Sequence, residues 1–63
     1  MEPREEIQHL LVQGDQRLKQ GHDARARERA RESYERALAV AVEHGLEDRI
    51  RPLVEARLAG LAG

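Results

Sequence analysis

The chain has 63 residues, no cysteine, a formal net charge of −1, and 37% charged against 40% apolar residues. These figures exclude disulfides and thiolate metal sites, leave no global field favouring nucleic acid or an anionic membrane, and confine the fold to one domain. A chain this short buries only about 60% of the surface its unfolded form exposes, which leaves association with another chain as the remaining aid to stability.

Nine Ala and eight Leu, against six Val, Ile and Thr combined, favour helices over strands. No apolar run approaches the roughly 20 residues of a membrane span, and the acidic start MEPREE lacks the apolar core of a secretory signal. A cytoplasmic location is expected. Ten of the eleven basic residues are Arg, a bias that hints at a GC-rich bacterial genome.

The first helix is expected from Pro3 to about Lys19. Pro suits the first turn, where its missing N–H would be unpaired anyway, and Glu5 and Glu6 sit near the positive end of the helix dipole. Ile7, Leu10, Leu11, Gly14 and Leu18 form one apolar stripe at helical spacing. Gln20-Gly21-His22 reads as the turn, with Gly21 as the stop.

Asp23 is placed to cap a second helix that runs through His44 until Gly45 stops it, about 22 residues and so roughly 33 Å. Its stripe is Ala26, Ala30, Ser33/Tyr34, Ala37, Leu38 and Ala41. Its first half is a charge ladder: Arg25–Glu28, Glu28–Arg31, Arg29–Glu32, Arg31–Glu35 and Glu32–Arg36 stand one turn apart. Such pairs contribute about 0.2–0.5 kcal/mol each on an exposed helix. Beyond Ala37 the helix is apolar on most sides and needs cover from more than one direction. The charged half is therefore expected to pair with the first helix alone, and the apolar half to be gripped by the first and third together.

The third helix is expected over about residues 48–61, with Ile50, Leu53, Val54, Leu58 and Leu61 as its stripe and Arg57 on the same side. Pro52 must fall in its first turn, or a kink would follow. That puts the start between Glu47 and Arg51, with Asp48 a candidate cap. The fold class is all-α: a single domain over 1–63, a helix-turn-helix hairpin with a third, C-terminal capping helix.

The order of Gly14 in the first helix, Lys19-Gln20-Gly21 at the turn and Tyr34-x-x-Ala37-Leu38 in the second resembles a tetratricopeptide repeat over roughly residues 7–42. The resemblance implies a close approach of the two helices, with Gly14 facing Ala26 or Ala30, and Tyr34 and Ala37 as the aromatic and small pair. It departs from the family in register. Counting from Gly14, the family's spacing falls on Ala26, Ala30 and Ser33, and matching Tyr34 and Ala37 needs four extra residues after the turn. The third helix is similar to the solvating helix that ends a repeat array, and a lone repeat normally needs neighbours to bury its core. The alternatives are an unrelated three-helix bundle and other helical hairpin arrangements, a microtubule-interacting-and-trafficking-type bundle among them.

No chemistry stands out. Glu5, Glu6, Asp15, Glu32, Glu43, Asp48 and the three histidines are the acid–base candidates, but no spacing orients one against a nucleophile. Ser33 lacks a GxSxG context, and no glycine-rich loop carries a P-loop Lys-Ser/Thr. The chain is expected not to be an enzyme and to take no cofactor or metal; His9, His22 and His44 read as solvated or capping residues.

Residues 24–36 hold five Arg and three Glu. Most Arg have a Glu within a turn, and the one aromatic, Tyr34, belongs to the packing stripe rather than to a base-stacking surface, so nucleic-acid association is the alternative rather than the leading reading. The leading one is a small non-catalytic protein-interaction module, an adaptor or accessory subunit. The resemblance implies a groove that includes Leu11, Asp15 and Leu18. Val12 and Val40 point away from a simple core, and a symmetric homodimer would bury Leu11, Leu18, Val54 and Leu61.

Overall fold

The computed structural model describes residues 2–21 and 23–62. It contains three helices: α1 (Pro3–Gln20), α2 (Ala24–Glu43) and α3 (Glu47–Ala62). Pro3 occupies the first turn of α1, and the Glu6 N–H donates to the Glu2 carbonyl at 2.9 Å. Asp23 caps α2, its Oδ1 accepting from the Ala26 N–H at 2.8 Å.

Two turns reverse the chain by different means. Gly21 is extended, with φ −179°, a conformation open to any residue, so glycine is not needed there as a left-handed stop. Gly45 has φ +71°, the one positive φ among the described residues. Around it the Gly45 N–H donates to the Val42 carbonyl at 3.3 Å and the Leu46 N–H to the Ala41 carbonyl at 2.8 Å. These are the two bonds of a Schellman motif, which satisfies the last carbonyls of α2. The Leu46 carbonyl then accepts from Ile50 N–H at 3.1 Å and launches α3 at once.

That turn places the start of α3 at the first residue of the expected range, and corrects the expected cap and the position of the proline. The helix begins at Glu47, so Asp48 is its second residue rather than its cap, and Pro52 lies in the second turn. The helix continues through Pro52 without the Asp48 carbonyl receiving its usual donor from residue 52. The first turn is reinforced by an ion pair between Arg51 and Glu47.

The helices run up, down and up, α1 and α3 each packing on α2 and the pair sharing little seam of their own. The molecule is accordingly a thin layer, 33 × 22 × 12 Å. Its core is Ile7, Leu10, Leu11, Ala30, Tyr34, Ala37, Ala41, Val54 and Leu61. At the α1–α2 seam the approach is set by Gly14: a Cβ there would stand 2.5 Å from Tyr34 Cε1. The nearest side chain to Gly14 is therefore that of Tyr34 rather than Ala26 or Ala30. Ala26 is half-buried beside Gly21 instead, while Ala30 and Ala37 are fully buried.

The expected division of α2 is also corrected. Leu61 lies with Ala24, Arg27, Glu28 and Arg31, so the end of α3 returns to the charged start of α2. At the other end Val42 remains 50% exposed, so the apolar half is not wholly covered. Nor does the charge ladder close: among the described residues the ion pairs are Arg51–Glu47 and Arg57–Asp15, and none lies within α2. No described helix is long and apolar enough to cross a membrane.

Candidate partner-binding groove

Because α1 and α3 flank α2 without closing on each other, a channel of about 240 Å³ remains between them. One wall is Arg4, Ile7, Gln8 and Leu11 of α1. The other is Leu46 of the turn with Arg49, Ile50 and Leu53 of α3. Positions 4, 7, 8 and 11 share one helical face, as do 46, 49, 50 and 53, so each wall is the exposed shoulder of a core-facing stripe. Ile7 and Leu11 are buried and form the floor, Leu46 and Ile50 are half-buried, and Leu53 is 47% exposed. Arg4 and Arg49 stand exposed on opposite walls, and among the described residues neither makes an ion pair.

Further along the same two helices, polar side chains tie the layer together. Tyr34 Oη donates to Asp15 Oδ1 at 2.5 Å, and Arg57 Nε donates to the same oxygen at 3.3 Å. Arg57 also donates through Nη1 to the Leu53 carbonyl at 3.3 Å. One carboxylate oxygen thus joins all three helices. The Tyr34 hydroxyl is pushed up to about 12 from 10.0, first by burial, then by its bond to Asp15 and the charge of that carboxylate, with Arg57 acting in the opposite sense. A phenol so held stays protonated at neutral pH and serves as a fixed donor rather than a base.

The residues singled out from the sequence divide sharply. Leu11, Val54 and Leu61 are 4%, 0% and 8% exposed and belong to the chain's own core, and of the three only Leu11 reaches the channel, as part of its floor. Leu18 and Val40 are half-buried and pack against that core. Asp15 lies on the groove side but is engaged by Tyr34 and Arg57. Val12 is 40% exposed, free of the core as expected. Gly14, Ala30, Tyr34 and Ala37 all lie at the buried seam of α2.

Sequence reasoning missed Arg4, Gln8, Leu46 and Arg49 as groove residues, and the partner of Arg57. One signal was available for Leu46: an apolar residue directly after a helix-ending glycine is the usual companion of a Schellman turn. His9 and His44 are exposed, and His22 lies outside the described residues. No group of three or more His, Cys, Asp or Glu among the described residues is placed to hold a metal ion. No protein-family model, curated protein or solved structure matches this chain.

Proposed function

We propose that the chain is a small non-catalytic interaction module whose α1–α3 groove takes an amphipathic, acidic helical segment of a larger protein. The observation that carries this reading is the groove itself: an apolar strip of Ile7, Leu11, Leu46, Ile50 and Leu53 between Arg4 and Arg49. Apolar side chains of a helix would cover the strip, and its flanking carboxylates would meet the two guanidinium groups. The path of α3, returning alongside α1, also supports the tetratricopeptide-like reading, in which successive first helices line a groove.

Leu53, not Leu11, is the residue to change, because Leu11 belongs to the core and its loss would unfold the chain. A synthetic amphipathic helix with glutamates beside its apolar face should shift the amide resonances of Gln8, Arg49 and Leu53. The same peptide with lysines in those places should not. Leu53→Asp should weaken the acidic peptide at least about tenfold, the loss of one well-buried apolar anchor. Equal binding of both peptides, or indifference to Leu53→Asp, would remove the groove from consideration. Sedimentation equilibrium of the free protein reports the competing occupant: a mass above the 7.2 kDa monomer that Leu53→Asp abolishes would put a second copy in the groove.

A further inference from the structure

A second concavity, of about 410 Å³, lies between α1 and α2, and no α3 residue reaches it. Arg17 and Gln13 line it from α1, and Arg29, Glu32, Ser33 and Arg36 from α2. Three guanidinium groups share this cleft with one carboxylate, and among the described residues none of the four makes an ion pair. An adjoining hollow of about 180 Å³ brings Arg25 beside Arg17 and Arg29, three guanidinium groups with the capping carboxylate of Asp23.

Two features of the residues that line this cleft are costly. Guanidinium groups that face one cleft from two helices repel each other. In addition, Arg17 Nε is fully buried and has no acceptor. A buried donor left unpaired normally forfeits about 1–3 kcal/mol, which makes such groups rare and in need of a reason. An anion in the cleft would offset the mutual repulsion of Arg17, Arg29 and Arg36 together.

We propose that this cleft is a binding site for a compact phosphate-type polyanion, held by Arg17, Arg29 and Arg36 with Gln13 and Ser33 as neutral partners. Planar guanidinium groups match phosphate oxygens two at a time, which a lysine cluster would not do. The volume falls within the roughly 300–1,000 Å³ of small-molecule sites. A long nucleic-acid strand fits the surface less well. Glu28 and Glu35 interrupt the basic face of α2, and the chain's one aromatic residue, Tyr34, is buried, so no ring is free to stack on a base.

The probe is inorganic pyrophosphate, titrated into the full chain in a buffer free of phosphate and sulfate and followed by amide resonances. The expected result is saturable shifts centred on Gln13, Ser33 and Arg36. Arg36→Gln should weaken binding about tenfold, as loss of a charge-assisted hydrogen bond does, while Arg51→Gln on α3 leaves it unchanged. Arg36 is exposed, so its replacement tests the site without the folding risk attached to Arg17. Non-saturating shifts spread equally to Arg49 and Arg51 would overturn the proposal, as would an Arg36→Gln variant that binds like the parent. A parallel titration with single-stranded oligothymidylate separates the sources of phosphate. Steeply salt-dependent binding of the oligonucleotide with none of pyrophosphate would replace the compact site with a strand-binding surface.

Discussion

The two seams of α2 are built on opposite plans. Toward α1 the closest approach is at Gly14, where the ring of Tyr34 leaves room for no further carbon. Toward α3 the contact is a sparse set of aliphatics, Val54, Leu58 and Leu61, on a helix that carries a proline in its second turn and an exposed glycine near its end. Small residues let two backbones approach closely, and the resulting seam is intolerant of change. Branched aliphatics fill a wider gap and can repack. The first seam therefore fixes the hairpin, and the second holds a helix that can be improved.

Gly14→Ala should expose this difference most strongly. The new methyl would meet Tyr34 Cε1 at 2.5 Å, and the ring is locked by its own bond to Asp15. A loss of about 3 kcal/mol in chemical denaturation is expected, at the upper end for overpacking; an unchanged midpoint would mean the seam is looser than described. Next comes alkaline pH. Tyr34 is raised from 10.0 to about 12 in the folded chain, so its contribution is fully present below pH 10 and is lost as pH rises through 12. About 2–3 kcal/mol should disappear over that window, and Tyr34→Phe should show a flatter profile there. The smallest effect belongs to α3. A Cβ at Gly60 meets nothing within 4 Å, so Gly60→Ala should stabilise the chain by about 0.5–1 kcal/mol. Thermal melts that move Gly60→Ala and Gly14→Ala in the same direction would erase the contrast between the seams.

What a sequence can carry is visible in where its reading succeeded. The three helices follow from local rules: periodic apolar residues, Pro3 in a first turn, Asp23 before α2 and Gly45 after it. The groove does not, because it depends on the angle at which α1 and α3 flank α2, and no spacing within one helix encodes that angle. Leu53 and Val54 are adjacent members of one expected stripe, yet one is 47% exposed and the other 0%. Ion pairing shows the same limit. Spacing pointed to pairs one turn apart on α2, whereas Arg57 found Asp15, 42 positions away, through the packing of three helices. Arg17 likewise has the spacing of a surface residue, yet its Nε is buried.

The up-down-up order has a kinetic side. Each helix packs mainly on its neighbour in sequence, across connections that occupy only 21–23 and 44–46. Native contacts are therefore mostly local, the condition under which small domains fold within microseconds to milliseconds. The tie from Asp15 to Arg57 is different, since it spans two helices' worth of chain and has nothing to join until both seams exist. It acts as a late latch on a structure already assembled, and the rate of folding should be governed by the hairpin rather than by the carboxylate that finally links all three helices.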